Sequence, residues 1–125
     1  MGPTHMAWTM PADAASVPLV RHHVVRLLHG NGCAEQRIAE AALMTSELAT
    51  NAVVHARTPF TVTIDLSARR LRVDVRDASK SMPVISTDVP STATGGRGLT
   101  FVAAFADCWG CESVSGGKKV WFESA

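Results

Sequence analysis

The chain has 125 residues, with 12 lysines and arginines against 11 aspartates and glutamates, for a formal net charge of +1. That length is one domain with room for a real core and none for a second. Acids and bases are interspersed, which excludes the basic footprint that direct nucleic-acid or membrane-surface binding requires. No run approaches about eighteen apolar residues and no charged-then-apolar leader is visible, so the sequence reads as soluble and cytoplasmic, recognising partners through shape and a local site.

Residues 1–5, MGPTH, read as an expression-tag remnant, leaving 6–125 as the domain. After a short apolar stretch from Ala7 to Met10, Asp13 and Ser16 offer helix N-caps and Pro18 suits a first turn. Val17, Val20, Val24, Leu27 and Leu28 recur at helical spacing until Gly30-Asn31-Gly32 stops the run. A second helix is expected from about Ala34 to His55, with Ile38, Ala41, Ala42, Thr45, Leu48, Ala49 and Ala52 as its core stripe. Glu47, Asn51 and His55 follow one another at steps of four, the first two well away from that stripe and His55 at its flank. A solvated helix more often follows a glutamate with a lysine or arginine four residues on, so this polar line is a first anomaly.

The period then changes to two. Phe60, Val62, Ile64 and Leu66 alternate with polar residues, and Leu71, Val73 and Val75 do the same, a hairpin turning near Ala68-Arg69. One further step of the alternation puts Asp77 on the inward, apolar face, where a carboxylate is costly unless something bonds to it. Ser79 to Gly95 carry two prolines, many small hydroxyl residues and no period, a length more typical of a functional lid than of filler. Gly95-Gly96-Arg97-Gly98 follow and open a third short helix through Leu99, Val102, Ala103 and Ala106. Two strands close the chain, Cys108 to Val114 and Lys118 to Glu123, joined by Ser115-Gly116-Gly117. Few helices against a largely antiparallel sheet make an α+β two-layer sandwich with three helices on one face.

Of the three cysteines, Cys108 and Cys111 form a C-x-x-C. Zinc needs a second pair of ligands that Cys33 alone does not supply, and strand alternation puts the two thiols on opposite faces. Buried or half-buried thiols are the expectation. The remaining anomalies each admit a plain reading and a chemical one. Gly-Gly-Arg-Gly before a helix is an ordinary turn, or a cradle of free N–H groups for phosphate. Glu47 and Asn51 are an exposed polar face, or a proton acceptor beside an amide oxygen for Mg²⁺ riding on phosphates. Asp77 starts a turn, or accepts from the exocyclic amine of a purine.

Taken in order, acid-x-x-x-Asn on a helix, Asp at a strand end, a lid, then Gly-x-Gly opening a helix, the motifs resemble the Bergerat-fold (GHKL) ATPases. "SELATNAVVHA" looks like their N box, "VRDAS" and "GGRGLTFV" like their glycine boxes, over a span from about Trp8 to Phe122. The compact stand-alone bacterial anti-sigma-factor serine kinases, whose chains end much like "GGKKVWFE", resemble it most. The resemblance implies ATP and Mg²⁺ as cofactors, with Glu47 as catalytic base, Asn51 on the metal and Asp77 on adenine. It further implies Gly96, Gly98 and Leu99 at the nucleotide, Arg97 reaching the γ-phosphate, and a packing role for His55. As partners it implies a sigma factor and an anti-anti-sigma (STAS) protein, with a homodimer as a common state of such proteins. Two positions depart from the pattern. The family's D-x-G reads Asp77-Ala78-Ser79, and "GGKK" carries no threonine or serine at the usual small-hydroxyl position. An ATP-binding regulator without kinase activity, or a plain interaction domain, are the alternatives.

Overall fold

The alternating strands pair as their burial demands. The computed structural model describes residues 3–80 and 99–125. In chain order these form β1 (Thr4–Met10), α1 (Ser16–Gly30), α2 (Glu35–Thr50), a π turn (Asn51–Ala56), β2 (Phe60–Leu66), β3 (Leu71–Asp77), α3 (Thr100–Phe105), β4 (Cys108–Val114) and β5 (Gly117–Ser124). The sheet order is β1-β2-β3-β5-β4, and every neighbouring pair is antiparallel. This is the expected α+β two-layer sandwich. Most of the expected lid, with Gly96, Arg97 and Gly98, lies outside the described residues.

Phe60, Val62, Ile64, Leu66, Leu71, Val73, Val75, Val120 and Phe122 share the inner face of the sheet and are all buried. Val20, Val24 and Leu28 of α1 and Ile38, Ala41, Met44, Leu48 and Ala49 of α2 complete one core with them. The outer face carries the polar half of the alternation. There Arg72 donates to Asp74 at 3.1 Å and to Glu123 at 2.9 Å, and its guanidinium lies 4.4 Å over the Trp121 ring. The hydrogen bonds to Arg72 hold the Glu123 carboxyl below its ordinary pKa.

Several details differ from the sequence reading. β1 begins at Thr4, so Thr4 and His5 pair with Leu66 and Asp65 rather than standing apart from the fold, and the His5 ring bonds the Asp65 carboxylate. Neither Asp13 nor Ser16 caps α1. The Asp13 carboxylate instead accepts the Ala15 N–H at 3.0 Å, and the Ser16 hydroxyl donates to the Pro11 carbonyl at 2.9 Å. Cys108 is exposed while Cys111 and Cys33 are half-buried, and none of the three is in a disulfide. Among the described residues no three His, Cys, Asp or Glu side chains cluster to hold a metal.

The largest correction concerns the second helix, which does not run regularly to His55. The α-helix ends at Thr50 and the backbone widens into the π turn, the Arg57 N–H reaching back five residues to the Ala52 carbonyl at 2.9 Å. Arg57 then adopts φ 59°, left-handed, and the helix stops. A wider turn breaks the four-residue step. Glu47 is half-buried, Asn51 is only 5% exposed, and His55 faces solvent, so the three do not form a single polar line.

The β4–β5 hairpin fixes the far edge of the sheet. Gly116 has φ 80° with open space around it, whereas a Cβ on Gly117 would lie 1.8 Å from the Asp77 carbonyl oxygen and 2.8 Å from the Ala78 Cα. Gly117 is therefore required by contact, and Gly116 by conformation. Gly117→Ala should cost at least about 2 kcal/mol in chemical denaturation, because backbone on both sides must move. Gly116→Ala should cost about 1 kcal/mol, the left-handed penalty alone. Equal losses would contradict this account.

Candidate functional site

Three elements converge on the end of the sheet where β2 begins and β3 ends. Phe60 and Asp77 are direct partners there. The π turn packs on β3, and just beyond it the Thr58 hydroxyl accepts the Ala78 N–H at 3.0 Å. That bond ties the exit of the π turn to the exit of β3, so Asn51 and Asp77 are carried by segments fastened to each other.

Asp77 sits where strand parity puts it, 5% exposed on the inner face. Its partner is Lys118, which the sequence reading missed. The Lys118 ammonium donates to both carboxylate oxygens, at 3.1 and 2.9 Å, with the two side chains 3% and 2% exposed. The Ser79 N–H adds a third bond, to Oδ1 at 2.9 Å, a tight turn at the strand end. The signal for Lys118 was present in the sequence. Phe122 and Val120 point inward, and one more step of two back along β5 reaches Lys118. In the sheet it lies directly opposite Asp77.

Glu47 leaves the last full turn of α2 and crosses to α3. One carboxylate oxygen accepts the Phe101 N–H at 2.8 Å and the Val102 N–H at 2.9 Å. A six-residue helix is marginal by itself, and these bonds satisfy N–H groups that its first turn leaves without intrahelical partners. Burial raises the pKa of Glu47 above the ordinary 4.5, against the opposing pull of backbone hydrogen bonds from Phe101, Val102 and Thr100. The side chain is thus a clasp between two helices and a carboxyl whose proton affinity is enhanced. Leu99, immediately before α3, places its side chain in the core, and its carbonyl accepts the Ala103 N–H at 2.8 Å.

Asn51 differs from both. Its amide nitrogen is buried and has no hydrogen-bond partner, and an unmatched buried amide is an unusual and costly feature. Oxygen and nitrogen of an amide are assigned by their surroundings, so either end can face a ligand. A neutral amide with no carboxylate cluster around it among the described residues suits Mg²⁺ only in the form that keeps its waters and rides on phosphate oxygens.

A cavity of about 530 Å³ lies at the other end of the sheet, against the α1–α2 turn and the β2–β3 hairpin, with Asn31, Cys33, Arg37 and Ser67 in its wall. None of the chemistry-bearing residues above reaches it.

The structure therefore joins Asp77 to Lys118 and Glu47 to α3, and fastens the segment after the π turn that Asn51 opens to the exit of β3. Gly96, Arg97 and Gly98 fall outside the described residues. No curated protein matches the chain. Over 99% of its length it is similar to part of the crystal structure of the RsbU and RsbW domains of Rv1364c from Mycobacterium tuberculosis, with a TM-score of 0.74 and 20% identity. The chain spans 32% of that larger chain, and a likeness at such identity concerns the fold. A family model for the histidine kinase-like ATPase domain matches residues 10–123, nearly the whole chain, and the chain belongs to that family.

Proposed function

We propose that the domain binds ATP with Mg²⁺ and is a regulatory protein serine/threonine kinase acting as an anti-sigma factor, its substrate an anti-anti-sigma (STAS) protein. The family match across residues 10–123 carries this reading, and the resemblance of its motifs to anti-sigma-factor kinases narrows it. Asp77 takes the adenine end and Gly96, Arg97, Gly98 and Leu99 the nucleotide's phosphate side. Asn51 supplies one oxygen to Mg²⁺, which neutralises charge on the phosphates when bound. Glu47 accepts the proton of the acceptor serine as its oxygen attacks the γ-phosphorus and ADP leaves. A half-buried carboxyl with raised proton affinity is suited to that step.

One observation favours the second reading, an ATP-binding regulator without kinase activity. Glu47 already serves as a structural acceptor for two α3 N–H groups. Nucleotide-dependent changes around that clasp would reshape the surface carrying Phe101 and Phe105, whose rings stack with centroids 6.1 Å apart and which are 41% and 37% exposed.

Glu47→Gln separates the two. The amide oxygen can still accept the α3 N–H groups, so the fold and ATP binding should persist, while phosphotransfer to a STAS partner should fall by about 10²- to 10⁴-fold. A phosphoserine assay with Mg-ATP, beside a binding titration, reads both. If the substitution leaves the transfer rate intact, Glu47 is not the base. The acid limb of the kcat–pH profile should lie above 4.5, because the raised pKa of Glu47 keeps the carboxyl protonated to higher pH. The same shift makes ionisation of Glu47 oppose folding. Its stabilising contribution is fully present below the unfolded-state pKa and is lost as pH rises through the folded one.

Asn51→Ala gives an independent check. The amide nitrogen has no partner to lose, so stability in denaturant should change by less than about 1 kcal/mol. Mg²⁺-dependent affinity for ATP should nevertheless drop at least about tenfold. Large destabilisation with unchanged nucleotide binding would assign Asn51 to the fold instead.

A further inference from the structure

We propose that Lys118 is the specificity- and affinity-setting residue at the base end, an internal competitor that a purine must displace from Asp77. The inference rests on the nucleotide-binding reading above. A carboxylate recognises an exocyclic amine by accepting its N–H. In this chain both Asp77 oxygens already accept from one ammonium, at 3.1 and 2.9 Å, and Oδ1 also holds the Ser79 N–H. Bonds from a charged donor are about twice as strong as those from a neutral one, and burial strengthens them again. A neutral amine therefore does not displace Lys118 without loss.

The pair is built into the backbone. Asp77 and Lys118 are direct partners in the β3–β5 ladder, and Gly117 allows the start of β5 to press onto the Asp77 carbonyl. Lys119, the next residue, points the other way and pairs with Glu112 at 3.1 Å. The two lysines of "GGKK" thus have separate work, one on the outer face of the sheet and one closing the recognition carboxylate. The usual small hydroxyl at this point would leave Asp77 open to a ligand. The ammonium occupies it. The consequence is weak binding of adenine nucleotides by the native chain and a latent site that neutral substitution at position 118 uncovers.

The test is calorimetric titration of Mg-ATP into the full chain and into Lys118→Thr, Lys118→Gln and Lys119→Thr, with a thermal melt of each. Lys118→Thr should bind at least about tenfold more tightly than the parent, and Lys119→Thr should match the parent. Removing the ammonium leaves a buried carboxylate without its partner, so the ligand-free melt of Lys118→Thr should fall. Added Mg-ATP should then raise that melt more than it raises the parent's. Should the threonine variant not fold, Lys118→Gln keeps a neutral donor near Asp77 and should show a smaller gain of the same sign. Equal or weaker binding in the Lys118 variants, with the parent binding Mg-ATP, overturns the competitor role and leaves the nucleotide reading intact. Absence of binding in every folded variant overturns both.

Discussion

A carboxylate on the inner face of a sheet constrains everything near it. Asp77 cannot remain charged among Phe60, Val75 and Val120 without a partner, and the chain supplies one by placing a lysine directly across the β3–β5 ladder. That choice fixes the register of the last hairpin. A slip of one residue would turn Lys118 to solvent, strand Asp77, and send Val120 and Phe122 outward together. Gly117 follows from the same constraint, because only a residue without Cβ fits against the Asp77 carbonyl. Such a buried pair is weak evidence for stability, since its desolvation offsets much of its attraction. Its contribution here is to specify one register, and to determine what the carboxylate can still recognise.

The second constraint is the change of helical period at Asn51. While α2 keeps 3.6 residues per turn, Glu47 projects toward α3 and clasps its first turn. The π turn then rotates the following residues. Asn51, whose own N–H still bonds the Glu47 carbonyl, lies buried at the start of that turn, and His55 beyond it faces solvent. A π turn sacrifices regular hydrogen bonding and recurs at functional positions for that reason. The amide at its first residue is buried with its nitrogen unpartnered, a local cost to the fold.

What the sequence made legible follows from how local each determinant is. The β2–β3 hairpin, the inward side of Asp77 and the element order all depend on periodicity over a few residues, and the structure agrees with each. Lys118 is equally legible by parity, but a lysine is expected to be exposed, and that expectation masks its inward place on β5. The π turn is of another kind. "TNAVVHA" has the apolar spacing of an ordinary helix end, and the π turn's packing against β3 is a tertiary contact that no local pattern records. The cap of α1 failed for a similar reason. Asp13 and Ser16 are both competent N-caps, and tertiary geometry used them for the preceding turn instead.

The three polar residues that a motif treats as one set are thus physically unequal. Asp77 is fully partnered, by a charge and a backbone N–H. Glu47 is held by backbone donors at the start of α3 and carries an enhanced affinity for a proton. Asn51 alone keeps a buried polar atom with nothing bound to it. A ligand gains most where an existing penalty is relieved and least where a good bond must first be broken. By that measure the Asn51 end of the site is preformed for a polar ligand, and the Asp77 end is closed by the protein's own side chain. Among the described residues, what a ligand meets at the Asp77 end is thus a carboxylate already held by the Lys118 ammonium.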